Sequence, residues 1–326
     1  MASNRKKVML PHTMGQEGVA KLRARDDIEV AIYLSNIGQA DLLPLLSDVA
    51  GIALSGTPYR RAEMDASPAM EVVARIGVGY DAVEVPALTA RRVPLMVAGT
   101  ANSTSVAEHA FHLMMALAKR GTALDAMVRK GAWGDRHAGL PMELAGKTVL
   151  IVGFGRIGTR SARRCLGFDM RALIYDPYVP AEKIASAGCE RVTDLDAALP
   201  HADFVSIHCP KNPETIGMFN AARFARMRRG AFIVNTARGG IIDEPALHAA
   251  LASGHLAGAG LDVFETEPTP ANNALLALDT VVTSPHMAGV TTESVAGMAV
   301  VTAENILSVL DGAPNRDNVI NQEVLD

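Results

Sequence analysis

The stretch that most constrains this chain runs from Thr148 to Gly158, TVLIVGFGRIG. Val149, Leu150, Ile151 and Val152 form a short aliphatic, largely β-branched run, which reads as a parallel strand buried on both faces. The run breaks directly into Gly153, Gly155 and Gly158, and Arg156 to Cys165 has helical composition, so the glycines fall on a strand-to-helix turn. In that context G-x-G-x-x-G has a mechanical meaning. Gly153 permits the tight turn, Gly155 lets the backbone approach a pyrophosphate, and Gly158 lets helix and strand pack closely. Phosphates then rest on the helix N-terminus, where N–H groups and the dipole favour anions. About 18 residues beyond Gly158 a second apolar run, Ala172 to Tyr175, ends in Asp176. An acid there is placed to accept hydrogen bonds from a ribose 2′-OH and to repel the extra phosphate of NADP. The stretch predicts a dinucleotide site, with NAD preferred.

The 326 residues suffice for two domains with separate cores, and a 49% hydrophobic fraction with a net charge of -4 marks a globular chain. Lys and Arg are scattered, so no nucleic-acid partner is expected. Met1 to Lys7 is polar and basic without a long apolar core, and is read as neither signal peptide nor membrane span; the expected location is the cytoplasm. Cys165, Cys189 and Cys209 lack CxxC spacing and read as reduced thiols. Cys209, in SIHCP, stays open between a cofactor-lining residue and a small core residue. The nine histidines show no HExxH or paired spacing, so no metal site is expected.

Alternating short apolar runs and helical patterns argue for parallel sheets with helices on their faces. In the first hundred residues Val8–Leu10, Glu29–Leu34, Gly51–Leu54, Val72–Ile76 and Val93–Val97 are strand candidates, with a helical segment at Asp41–Val49. Ser105 and Glu108 fit a capping box opening a helix that runs to Gly121. Val106, Ala110, Leu113, Met114 and Leu117 give that helix one apolar face; Ala107, Phe111 and Met115 give a second, so it is expected to connect the domains. Glu108 and His109 are adjacent on it and point in different directions, which argues against an acid/base pair. After Lys147 the strand candidates are Val149–Val152, Ala172–Tyr175, Phe204–His208, Ala231–Asn235, Ala259–Val263 and Val281–Thr283. The helices Thr193–Leu199, Ala221–Met227 and Asp243–Ser253 lie between them, the last with Asp243 as N-cap and Gly254 beyond its end. Thr292–Leu310 is a final amphipathic segment that returns to the first half. The expected fold is α/β with two Rossmann-like domains, one flavodoxin-like and one NAD-binding, each a parallel sheet flanked by helices. Residues 1–103 with 292–326 are expected to form a substrate-binding lid, and residues 104–291 the NAD-binding domain.

In open α/β sheets ligands bind outside the carboxyl ends of the strands. Ala231–Asn235 runs into Thr236, Ala237 and Arg238; Ala259–Val263 runs into Glu265 and Glu267; Val281–Thr283 runs into Ser284, Pro285 and His286. An arginine, a glutamate and a histidine at such ends suit hydride transfer from a 2-hydroxy acid. Histidine titrates near working pH and can exchange the hydroxyl proton. A nearby carboxylate fixes its orientation and favours the imidazolium. Arginine offers the bidentate fork that a planar carboxylate fits.

Several long motifs extend this reading: GFGRIG, ADFVSIHCP followed by PET, FIVNTARGGIIDE, AGAGLDVFETEP and SPHMAG. In these the chain resembles the D-isomer-specific 2-hydroxyacid dehydrogenase family over nearly its whole length. The resemblance implies a catalytic Arg238, Glu267 and His286, with Glu265 the rival acid in the same loop. It implies that Gly77, Val78 and Gly79 offer backbone N–H groups to a substrate carboxylate, and that domain closure excludes water. For NAD it implies Thr104 near the nicotinamide, Arg156 and Ile157 at the pyrophosphate, and Asp176 at the adenosine ribose. His208, Cys209, Pro210 and Thr215 would lie around the adenine side. Thr236, Ala237, Arg238, Asp262, His286 and Gly289 would line the nicotinamide end, with Asp262 binding its carboxamide.

The same resemblance bears on substrate. Phosphoglycerate dehydrogenase-like members carry Ser-Arg-Thr after the third strand, whereas this chain has Ser55, Gly56 and Thr57. Arg60, Arg61 and Arg75 are the candidate replacements for that phosphate-holding cation, Arg75 also a general substrate contact. Hydroxypyruvate or glyoxylate is therefore expected ahead of 3-phosphoglycerate. Trp133 is expected at a homodimer interface or in a core. An NAD(H)-sensing binding protein on the same fold is the reading from another class.

Overall fold

The computed structural model describes residues 5–326, which form two compact units, one running to Asn102 and resuming from Val290 to Asp326, the other Ser103–Gly289. The sequence before Arg5, part of the stretch read for a signal peptide, lies outside the described residues.

In chain order the first unit contains β1 (Lys6–Pro11), α1 (Gln16–Arg23), β2 (Ile28–Tyr33), α2 (Gln39–Leu42), β3 (Val49–Leu54), α3 (Arg61–Asp65), β4 (Val72–Arg75), α4 (Val85–Ala90) and β5 (Leu95–Met96). All five strands are parallel, in the order β2-β1-β3-β4-β5, the flavodoxin-like order. The strand at Val49–Leu54 is buried along its whole length because apolar clusters cover both faces of the sheet. The helix expected over Asp41–Val49 stops at Leu42 and gives way to a 3-10 turn, Leu43–Leu45, centred on Pro44. Proline lacks the N–H and its ring disfavours continuation, so β3 begins at Val49 instead.

The second unit contains α5 (Ser103–Lys119), α6 (Gly121–Arg129), β6 (Thr148–Val152), α7 (Arg156–Leu166), β7 (Arg171–Tyr175), α8 (Ala181–Ser186), β8 (Glu190–Val192), α9 (Leu195–Ala198), β9 (Phe204–Ile207), α10 (Ala221–Arg226), β10 (Phe232–Asn235), α11 (Glu244–Ala252), β11 (Gly258–Leu261) and β12 (Val281–Thr283). Its parallel sheet has the order β12-β11-β10-β9-β6-β7-β8, with the switch point between β6 and β9. That is the six-stranded Rossmann order, running from β8 to β11, with one further strand, β12, added beyond β11. The short β8 was not among the strand candidates. Its Glu190 and Arg191 are exposed at the sheet edge, so it has no apolar pattern to betray it. Asp243 does cap α11, its side chain accepting from Ala246 N at 2.9 Å, and Gly254 follows with φ 67°.

The capping box expected at Ser105 and Glu108 is overturned, because α5 begins at Ser103 and Ser105 is buried inside its first turn. Glu108 reaches Arg164 on α7 instead, at 2.7 Å. The final helix, α12 (Thr292–Leu310), belongs to the first unit and packs on α1 and β4. It is long and apolar enough to cross a membrane by length and composition alone. Its buried polar residues argue for a core helix, since Asn305 donates to Val97 O at 2.8 Å and accepts from Asn318.

Candidate active site

The glycine turn leads from the switch point into α7. Gly153 has φ 96°, and a Cβ there would lie 2.7 Å from Cys209 N and His208 C. A Cβ on Gly158 would overlap Gly153 O, whereas one on Gly155 would meet nothing within 4 Å. Two of the glycines therefore serve close packing and the third leaves space over the turn, as backbone approach to a pyrophosphate requires. Arg156 and Ile157 form the first turn of α7 beyond the Gly155 N-cap.

Asp176 stands at the end of β7 and ties the turn together, its Oδ2 accepting from Phe154 N at 2.7 Å and its Oδ1 from Tyr178 N at 2.9 Å. Across the switch point, Thr215 Oγ1 donates to Pro210 O at 2.7 Å and so shapes its own loop. Cys209 is half-buried, and burial pushes its thiol up to about 11, so it stays protonated. Burial also lowers His208 to about 4. His208 Nε2 lies 2.9 Å from Ser206 Oγ, while His208 Nδ1 and the Thr236 hydroxyl are buried without a hydrogen-bond partner in the protein. The open space at Gly155 and these two orphaned polar atoms, at the carboxyl ends of β9 and β10, fit a bound dinucleotide. Thr104 is exposed at the second residue of α5.

The loops after β10, β11 and β12 carry Arg238, Glu267 and His286, the residues expected from the sequence to be catalytic. His286 Nδ1 lies 2.7 Å from Glu267 Oε2, and Glu267 Oε1 accepts from Phe264 N at 3.0 Å, which fixes the carboxylate. The rival Glu265 is turned away, its Oε1 accepting from Glu244 N at the start of α11. Arg238 is half-buried and donates from Nη1 to Ala237 O at 2.7 Å. Its turn is held by buried Asn235, which donates to Arg238 O and accepts from Ala237 N, both at 2.9 Å. Gly239 presses this turn against the next one, since a Cβ there would overlap Phe264 O. Asn235 had no role in the sequence reading; its place at a strand end was the one available signal.

His286 has φ 55°, a left-handed conformation uncommon outside glycine. Asp262, only 1% exposed, holds it there. Its backbone carbonyl accepts from His286 N at 2.8 Å; its Oδ1 accepts from Met287 N at 2.8 Å and Ser284 Oγ at 2.5 Å; its Oδ2 accepts from Ala288 N at 2.9 Å. The residue expected at a carboxamide is thus engaged in shaping the His286 loop, with half-buried Gly289 just beyond it. Among the described residues no three of His, Cys, Asp and Glu gather as a metal-binding group.

In the other unit, Arg75 at the end of β4 donates from Nε to Gly79 O at 2.7 Å, bracing the loop of Gly77, Val78 and Gly79, in which Gly77 has φ 117°. Gly56 is exposed, and Thr57 is buried with its hydroxyl donating to Ser35 O at 3.2 Å. Arg60 and Arg61 are exposed at the start of α3.

The chain is similar to known proteins in sequence and fold. Residues 111–288 match the NAD-binding domain of the D-isomer specific 2-hydroxyacid dehydrogenases. The D-3-phosphoglycerate dehydrogenase of Archaeoglobus fulgidus is 35% identical over 314 residues, covering 96% of this chain, which spans 59% of that relative's length. Among solved structures, a glyoxylate reductase from Paecilomyes thermophila superposes with a TM-score of 0.88 at 26% identity, covering 98% of this chain and 99% of that one. D-lactate dehydrogenase from Aquifex aeolicus, complexed with NAD and lactic acid, gives 0.86 at 27% identity, covering 96% and 99%. With more than half of its length matched, glycine turn included, this chain belongs to the D-isomer specific 2-hydroxyacid dehydrogenase family and carries its NAD-binding domain.

Proposed function

We propose that the chain interconverts a small D-2-hydroxy acid and its 2-keto acid with NAD(H), hydroxypyruvate or glyoxylate being the favoured keto acid. The observation that carries this reading is the 2.7 Å contact between His286 Nδ1 and a Glu267 carboxylate already fixed by Phe264 N. With Nδ1–H directed at Glu267, Nε2 is the ring atom left to hold or release the substrate proton. In the reducing direction His286 gives that proton to the keto oxygen; in the oxidising direction it takes the hydroxyl proton. Arg238 grips the substrate carboxylate and fixes which carbon faces the cofactor. When bound, NAD(H) supplies or takes up the hydride. The roles of Arg75, Val78 and Gly79 as substrate contacts rest on the sequence resemblance and belong to the same proposal.

Substrate size is argued from the loop after β3. Gly56 is exposed and a Cβ there would meet nothing within 4 Å, so the loop offers no cation at this position for a phosphate. The names of the 35% identical relatives favour 3-phosphoglycerate as the second reading, with exposed Arg60 or Arg61 as the phosphate contact. NADH oxidation should therefore be measured with glyoxylate, hydroxypyruvate, pyruvate and phosphohydroxypyruvate. The proposal expects kcat/KM to be highest for one of the first two; a preference for the phosphorylated acid would select the second reading. Turnover of none, with tight NADH binding, would reject the enzyme reading in favour of an NAD(H) sensor.

A homodimer is part of the proposal. The helix α6 has no buried residue, and Val128, Trp133 and Leu140 on and after it are 59%, 66% and 73% exposed. Apolar side chains this exposed along one segment suit a second copy of the chain.

A further inference from the structure

The Asp262 clamp does not end at Asp262. Ser284 Oγ has one hydrogen, which it gives to Asp262 Oδ1, so its lone pairs are left to accept. The group they face is His109 Nε2, 2.7 Å away on α5. Because the serine hydrogen is already used, Nε2 must carry the proton, which fixes the tautomer of His109. Asp262 Oδ1 itself lies 3.8 Å from that nitrogen, so the serine mediates the contact.

The helix reaches this loop for a reason written in the sheet. His109, Leu113 and Leu117 are spaced by four residues and share one face of α5. Opposite them β11 has Gly258 and Gly260. A Cβ on Gly260 would lie 2.9 Å from Leu113 Cβ, and one on Gly258 3.0 Å from Leu117 Cδ2. The two glycines let the helix settle onto the strand end, which carries His109 to Ser284. Burial lowers the pKa of His109, with Asp262 opposing and His112, its ring centroid 5.7 Å away on the same helix, adding to the effect. Glu108, next to His109 in the chain, pairs with Arg164.

We propose that His109, acting through Ser284 and Asp262, is a positioning residue that holds His286 in its left-handed conformation. The chain of donors runs from His109 to Ser284 to Asp262, and Asp262 in turn collects the N–H groups of Met287 and Ala288, the two residues that follow the left-handed His286. Without the His109 donor, Ser284 is free to rotate off Asp262 and the loop loses one of its fixed anchors. The inference rests on the reading of His286 as the proton-transfer group.

The test uses the full chain, with His109→Ala, His109→Gln, Ser284→Ala and His286→Ala beside the wild type. His109→Ala should lower kcat about tenfold, the scale expected when a catalytic group is held loosely. KM for NADH should stay within about twofold, and the thermal midpoint should be little changed. Glutamine, whose amide can donate from a similar place, should recover most of the loss. Ser284→Ala should match His109→Ala, and the double variant should be no worse than either single one. In the NMR spectrum of histidine-labelled protein, the ring resonance absent from His286→Ala should shift or broaden in His109→Ala. A kcat within about twofold of wild type together with an unmoved His286 resonance would overturn the proposal, as would a glutamine variant no better than alanine. If the alanine variant does not fold, Ser284→Ala carries the same test. If the wild type turns over no keto acid, the functional reading fails while the resonance still decides whether His109 positions His286.

Discussion

A histidine with φ 55° costs the backbone on the order of 1 to 3 kcal/mol, and Asp262 offsets that with bonds to four groups between Ser284 and Ala288. The residues at strand ends were legible in the sequence: Arg238, Glu267 and His286 could be named from where three apolar runs stop. Their supports were not. Asp262 meets Ser284 22 residues away and His109 meets Ser284 175 away, and spacing along a chain does not encode such bonds. Between Glu265 and Glu267 the family motif favoured Glu267, and the structure adds that Glu265 faces Glu244. His208 provides a prediction on this scale. An unfolded histidine takes up a proton near pH 6.5, whereas folded His208 does so only near 4. Between those values the unfolded chain binds more protons, so stability present at pH 7 is lost as the pH falls through the window. Denaturant unfolding at pH 7 and pH 4.5 should show His208→Gln losing less than the wild type, by at most about 2 to 3 kcal/mol. Equal losses would show that His208 does not carry this linkage.

At the scale of elements, the strands were the best-read part, because both faces of each sheet are covered and apolar runs are unavoidable. What escaped was set by context. Serine and glutamate three apart looked like a cap at Ser105, yet α5 starts at Ser103 and Glu108 is drawn to Arg164. Charged β8 joins the sheet only because β7 offers it an open edge. The turn after β10 was read for its arginine, while the glycine next to it proves to set the geometry. Gly239→Ala should push the Arg238 turn away from Phe264, since its Cβ would overlap Phe264 O. We expect a loss of roughly 1 to 3 kcal/mol in stability, the range for overpacking, and a kcat/KM reduced by about tenfold or more. Calorimetry and steady-state kinetics check both, and an unaffected kcat/KM would show that the two turns need not touch.

For the whole molecule, the sequence reading of two parallel α/β sheets holds: one in flavodoxin-like order, one in Rossmann order with the glycine turn at its switch point. How the chain associates is less legible, since Trp133 fitted a core as well as an interface until its 66% exposure was known. If a second copy covers the segment after α6, sedimentation should give a dimer for the wild type, and Trp133→Arg with Leu140→Asp should give a monomer of unchanged secondary structure. A wild-type monomer would remove the proposed interface. The central claim concerns turnover, and it is tested most directly by NADH oxidation with the best keto acid, wild type against His286→Ala, with NADH affinity measured alongside. The account expects kcat to fall by a factor on the order of 10² to 10⁴ with NADH affinity nearly unchanged; near-normal turnover in His286→Ala would contradict it.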